Sequence, residues 1–441
     1  MRTHLTPFIV LLAAACAGTA GNDADGQDLA PAVVGASPEA HLSHTLPRGG
    51  SSTLSFRTLK NATCLLRPAS EAPGAAEHLK LYADDDGIAR LGLTDTGGNL
   101  DKLDMAVDCA DDAGRVMTHA LHLATADGVR GQAPAAFNHA GKVKLAAPAR
   151  DPAALSEAEI HAAGYPPRPD AASAPKQYAN WIKLVNSGAT VITPHAVKDP
   201  SRVHGPVTSN ANGSSTNWSG YVISTPGSAP QYGEIFGAWR VPQVYSPGGF
   251  WSSTYSSFWV GIDGWGTPDV VQAGTDENAY NYFWVAFHSY GAWTEWYPYS
   301  SVSISNFSVN PGDNIYCWVW VDTSAGAWAP NGNVGWFYVW NTTQNVASGY
   351  LSTVAPSGTV FNGHQAEWVM ERPQVGGSIT QLANYSWAQI YDAWAYDYAY
   401  KTHYYQSDSS WNLTMVNGND VLSTVAPADS MTMNFTWHNY Q

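Results

Sequence analysis

Positive charge is scarce in this chain. Of 441 residues, 21 are Lys or Arg against 36 Asp or Glu, a formal net charge of −15. The electrostatic footprint of a nucleic-acid binder is therefore missing, and an anionic membrane surface is a poor partner. Charge of either sign is thin, at 13% of residues, whereas aromatic residues make up 12%. Cysteine occurs only four times. The sequence contains no H-E-x-x-H and no G-x-S-x-G, so the common zinc- and serine-hydrolase signatures are excluded, and neither a metal nor another cofactor is expected. One "DTG" occurs, at Asp95 to Gly97, but no second D-[ST]-G accompanies it. A shared-proton aspartate dyad needs two such carboxylates, so a turn is the expected role of this one.

The start, "MRTHLTPFIVLLAAACAGTAGNDA", has one basic residue, an apolar run and then small residues. That is the pattern of a secretory signal peptide over residues 1–20, and its apolar run is too short for a spanning helix. Two fates compete. Cleavage near Ala15 or Ala20 releases a secreted, extracellular protein. Alternatively "LAAAC" serves as a loose lipobox with Cys16 lipidated, the one route to a stable membrane partner. Cys64 and Cys109 lie in strand-like runs of one region and are the disulfide candidates of an exported chain. Cys317, in "NIYCWVWV", reads as a buried free thiol.

Three segments follow. Residues 21–140 alternate apolar and polar residues in short runs such as "STLSFRTL", "HLKLYA" and "LDMAVDC", which predicts a small antiparallel β-rich pro-domain. Residues 141–205 are rich in Pro and Ala and predict a propeptide or linker, mostly extended with a short helix. Over 142–202 eight Lys or Arg meet five Asp or Glu, so this basic stretch is either a cover for an acidic neighbour or a plain connection. Residues 206–441 hold eighteen of the nineteen Trp, fifteen acids and only Arg240, Arg372 and Lys401 as bases. Repeated alternating runs there predict one large all-β sandwich, in a chain expected to be monomeric.

Residues of one parity share a face of a strand. In "HQAEWVMERP" Gln365, Glu367, Val369 and Glu371 share one face, while Ala366, Trp368 and Met370 point to the core. By the same rule Trp259 and Asp263 share a face, as do Trp293, Glu295 and Tyr297. Side by side, such strands would line a groove with acids and aromatics. Solvated outer faces give the same pattern. Three classes fit an acidic, aromatic groove: a glycoside hydrolase with paired carboxylates, a peptidase in which one carboxylate activates water, and a carbohydrate-binding module.

Six ordered motifs then narrow the choice: "NWSGYV" (217–222), "GAWRVP" (237–242), "FWVGIDG" (258–264), "VVQAGT" (270–275), "TEWYP" (294–298) and "AEWVME" (366–371). Together they resemble the eqolisin family of glutamic endopeptidases over roughly residues 210–441. The resemblance implies an antiparallel two-sheet β-sandwich of the concanavalin-like kind. It also implies a catalytic pair, Gln272 and Glu371, and protein or peptide substrates. Trp218, Trp259, Asp263, Glu295 and Tyr297 are then expected to line the groove or support the pair. Ala273 departs from the bulkier Thr common at that position. "GYPPRPD" with "YANWIKLV" looks like a propeptide end, so the chain's own propeptide is an expected partner, released by self-cleavage between about 190 and 212 on acidification. A glycoside hydrolase or carbohydrate-binding module on the same lectin-like sandwich remains the alternative.

Overall fold

The computed structural model describes residues 40–441 except 74–78, 98–99, 136–142, 146–147, 149, 208, 211–212, 225–231, 249–250, 323–332, 360, 399–400 and 409–410. The signal-peptide and Cys16 expectations lie outside the described residues. By internal contacts the chain divides into two units. One is Met1–Asn138 with Trp284–Phe287, and the other is His139–Phe283 with His288–Gln441.

The first unit is β throughout its described part. Strands Ala40–Pro47, Val116–Ala126, Leu103–Ala110, Thr63–Pro68 and Leu79–Tyr82 lie side by side in that order. Ser51–Arg57 and Ile88–Asp95 form a further antiparallel pair. The expectation of a wholly antiparallel domain needs one correction, because Ala40–Pro47 runs parallel to Val116–Ala126. A parallel pair needs a long crossover, and five strands intervene between these two. Cys64 and Cys109 are register partners on adjacent strands and are joined by a disulfide. Asp95 ends its strand and holds the turn that follows: its carboxylate accepts the N–H groups of Gly49 at 2.7 Å and Gly97 at 3.1 Å.

The second unit stacks two sheets. In one, Trp411–Asn417, Trp218–Ser224, Gln365–Glu371, Trp251–Ile262 and Val270–Tyr282 pair antiparallel in sequence across the ladder. In the other, Val334–Asn341, Asn314–Asp322, Tyr232–Arg240, Trp387–Asp397, Thr432–Trp437 and Asp420–Asp429 do the same. The core between them takes one parity from each strand. Phe258, Val260, Ile262, Ala273, Trp368 and Met370 from the first sheet meet Ile235, Trp239, Val319 and Ile390 from the second. Cys317 belongs to this core, a free thiol 3.5 Å from the Ala273 carbonyl oxygen. Burial of this kind contributes roughly 1.5–3 kcal/mol per large apolar side chain, and it dictates that the opposite parity of the first sheet faces away from the core.

The stretch read as a propeptide or linker, either a cover or a plain connection, is a packed layer. It contains two helices, Glu157–Ala162, with a capping box from Ser156 and Glu159, and Pro175–Asn186, which starts on the proline that suits a first turn. Ile160, Tyr165, Trp181, Leu184 and Val185 bury against Phe236, Trp318, Trp320, Tyr338, Trp340 and Trp394 on the outer face of the second sheet. Apolar burial holds these two helices there. It then continues as short paired strands, the last of them in a small separate sheet. Thr190–Val191 pairs with Val346–Ala347, Ala196–Asp199 with Ser301–Ile304, and Arg202–Val203 with Gln374–Val375.

Candidate active site

The outward face of the first sheet carries Trp218, Val222, Trp259, Val270, Trp293 and Val369 as a second buried cluster. Gln272 and Glu371 share that face. Register places Glu371 opposite both Trp218 and Ser257, and Gln272 opposite Gly261. Gln272 and Glu371 are 0% and 1% exposed. Buried carboxylates and amides need partners, and both groups find theirs on one residue of the preceding segment, His204. The Gln272 side-chain Nε2 donates to the His204 carbonyl oxygen. Glu371 Oε2 lies 3.3 Å from His204 Nδ1 and accepts the Trp259 indole N–H at 2.8 Å. An amide and a carboxylate that reach opposite ends of one residue share a single cleft.

The rest of the cleft follows from the same strands. Trp218 meets Trp259 edge to face, with ring centroids 4.8 Å apart. Trp293 stacks flat on the His204 imidazole at 3.6 Å and 4°. Glu295, two residues along the same strand, accepts the His204 backbone N–H at 3.2 Å. Tyr297 borders Gly205, where an added Cβ would come within 3.8 Å of its ring. Asp276 lies two pleats from Gln272 on the same face. It pairs with the Arg202 guanidinium, accepts from Ser257, and sits 3.7 Å from His204 Nε2. Arg202 also donates to Asn278 Oδ1 at 3.2 Å and lies over the Tyr255 ring.

Burial sets the electrostatics. It raises the pKa of Glu371, against the lowering effects of His204 and the Trp259 N–H. It holds Glu295 well above the usual carboxylate range, with Glu371 and Asp276 adding like-charge repulsion. It raises Asp276 despite the Arg202 cation, and it lowers His204 despite the Glu371 carboxylate. Gln272 Oε1, Glu295 Oε1 and His204 Nε2 are buried without a hydrogen-bond partner among the described residues.

One expectation of a shared face fails here. Asp263 does not join the acid cluster. The strand ends at Ile262, and Asp263 takes a left-handed φ of 68°, which breaks the alternation that would have aimed it into the groove. Its carboxylate instead accepts the backbone N–H groups of Asn362, Gly363 and His364. Glu367 keeps the parity of Glu371, faces Val222 and Gly261 across the ladder, and is buried with neither oxygen hydrogen-bonded among the described residues. Sequence reasoning missed Asp276, although its parity with Gln272 in "QAGTD" was legible. It also missed Arg202 and His204, which no local pattern marks.

A two-sheet antiparallel sandwich whose outer face holds a buried amide and carboxylate against one peptide segment defines the class. The chain belongs to the Peptidase A4 family, whose model matches residues 216–437. Aspergillopepsin-2 of Aspergillus niger is 29% identical over 194 residues, 39% of this chain and 61% of that protein. The match thus spans less than two thirds of that relative's length. Among solved structures, scytalido-glutamic peptidase with a transition state analog inhibitor has 19% identity and a TM-score of 0.40, covering 51% of this chain and 98% of that one. Aspergilloglutamic peptidase from Aspergillus niger has 22% identity and a TM-score of 0.36, covering 42% and 99%.

Proposed function

We propose that this protein is an endopeptidase in which Glu371 activates water and Gln272 stabilises the oxyanion. The observation that carries the reading is the hydrogen bond from the Gln272 amide to a peptide carbonyl oxygen, that of His204, with Glu371 contacting the same residue. In the reaction, Glu371 takes a proton from water as the water oxygen bonds to the carbonyl carbon. Negative charge then develops on the oxygen that the Gln272 N–H already holds. Glu371 returns the proton to the nitrogen as the C–N bond breaks. The unpartnered Gln272 Oε1 is available to accept the other hydrogen of that water. Trp259 orients Glu371 through its indole N–H, and Glu295 binds the main chain of the occupant through a backbone amide.

In this reading the chain is made as a secreted, latent proenzyme. Residues 202–205 fill the cleft and are anchored by the helical layer on the far sheet. Acid loosens them. Protonating Asp276 removes the ion pair with Arg202. A protonated His204 then faces that cation, with Glu371 and Glu295 no longer offering full negative charge and Asp199 the remaining nearby acid. The test is hydrolysis of denatured protein at pH 3–5 after acid treatment. Glu371→Gln is expected to abolish it, and Gln272→Ala to lower kcat by about 10²–10³-fold, both with unchanged circular dichroism. Full activity in either variant would sink the assignment.

A further inference from the structure

Two imidazoles are buried in the apolar interior of the first unit. His119 lies on Val116–Ala126 with the buried parity of Leu121 and Leu123, and is 1% exposed. Neither of its ring nitrogens has a hydrogen-bond partner among the described residues. Its register neighbours are Ala40 and Val107, and its ring meets Phe56 edge to face at 5.0 Å. His44 lies on the adjacent parallel strand, Ala40–Pro47, and is 7% exposed, with Nε2 2.9 Å from Ser52 Oγ. The other ionisable groups buried in this unit are engaged elsewhere. Asp84 holds the Arg90 guanidinium and the N–H groups of Asp86 and Ile88, and Asp95 holds Gly49 and Gly97. Asp111 pairs with Arg115, and Arg67 with Asp108. A neutral imidazole suits such an interior. A charged one does not, because it would have neither solvent nor a counter-ion.

We propose that the first unit is an acid-released segment: acidification charges His44 and His119, peels their two strands from the rest of the unit, and turns them into a substrate of the catalytic unit. The last step rests on the peptidase reading above; the opening does not. Each cut adds one water across a C–N bond, with the hydroxyl going to the carbonyl carbon and the hydrogen to the nitrogen. The opening has a built-in boundary. The Cys64–Cys109 disulfide ties Thr63–Pro68 to Leu103–Ala110. Both histidines lie outside that tied pair, His119 on the strand beside it and His44 on the edge strand of the sheet.

The two units respond to acid in opposite senses. Burial holds both imidazoles below their ordinary value. The unfolded chain therefore takes up protons first, and stability falls as pH drops below about 6.5. Asp104, lowered by His122 and Lys102, acts in the same direction at lower pH. In the second unit, among its described residues, eight buried carboxylates are raised. Four histidines and two exposed carboxylates are lowered there. Carboxylates that gain protons more readily when folded stabilise the fold in acid, so acid loosens the first unit while it tightens the second.

The experiment follows hydrogen exchange by mass spectrometry between pH 7 and pH 4 in the full-length Glu371→Gln chain, which separates opening from digestion. Rates are corrected for intrinsic exchange. A histidine that takes its proton only on opening multiplies the open population by up to about tenfold per pH unit. Protection in Ala40–Pro47 and Val116–Ala126 is therefore expected to fall by about 10- to 100-fold per pH unit while the folded imidazoles stay neutral, and Gln365–Glu371 is expected to keep its protection. His119→Leu, which fills the site with a group that cannot charge, is expected to remove about tenfold per pH unit of that fall. His44→Gln, which can still bond Ser52, gives the same readout should His119→Leu fail to fold. Unchanged protection of the two strands down to pH 4, or an undiminished loss in the folded variants, overturns the opening. In the chain with Glu371 intact, reduced samples are expected to yield fragments of residues 40–126 before any of residues 232–441. If the strands open and stay uncut while denatured protein is cut, the substrate step is overturned. If nothing is cut, it is the peptidase reading that fails.

Discussion

Trp259→Phe tests whether the Trp259 indole tunes a proton or merely fills space. In the structure its N–H donates to Glu371 Oε2 at 2.8 Å in a site closed to solvent. A hydrogen bond to a charged group is worth about 1.5–3 kcal/mol, and 1.36 kcal/mol corresponds to one pH unit of titration. The bond favours the ionised form, so it lowers the pKa that burial raises. Removing it should raise that pKa by about 1–2 units. The base must be ionised to act, so the acid limb of the kcat/KM profile should move to higher pH by the same amount. Well below both acid limbs the variant should then lose about 10–100-fold, and the loss should shrink as pH rises through the variant's own limb. The assay is peptide hydrolysis across pH 2–6 on acid-activated protein. If the acid limb stays put and activity falls equally at every pH, Trp259 acts through shape and the proton argument is wrong.

Three further outcomes follow from the structure. Glu234, Glu277, Glu295 and Glu367 are buried with pKa values well above the usual carboxylate range. The folded state therefore binds protons more tightly than the unfolded chain, so stability is full below about pH 4.3 and falls as pH rises towards the folded values. The urea midpoint should be higher at pH 4 than at pH 7, and Glu367→Gln should flatten that difference. Trp181→Ala, which empties the layer between the Pro175–Asn186 helix and the outer sheet, should cost about 3–5 kcal/mol of docking. Limited proteolysis at neutral pH should then cut between residues 187 and 205 while the sandwich stays intact. Replacing Cys64 and Cys109 by Ala opens a loop with a sequence separation of 45 and should destabilise the first unit by about 4 kcal/mol in a urea titration of the full chain.

Much of the fold was legible because strands announce themselves by parity. The set Ala366, Trp368 and Met370 enters the core while Glu371 faces outward. The period-2 rule alone placed these correctly, since a half-buried strand must sort its side chains. The same rule failed at Asp263, one residue past the strand end, because a single left-handed residue turns the chain.

The amino-acid sequence by itself determined which groups exist for chemistry: a domain nearly free of cations, an amide and a carboxylate at fixed parity on separate strands, and aromatics around them. These are local properties, set by residue type and by the pleat. Only the tertiary structure decided what those groups touch. Arg202 and His204 lie 68 or more residues before their partners along the chain, in a stretch whose local pattern reads as a connection. Its anchor is the face of Ile160 and Trp181, earlier in the chain and buried on the far sheet. No local pattern encodes a contact of that range, because the partners lie on strands that only the folded sheet brings beside this segment.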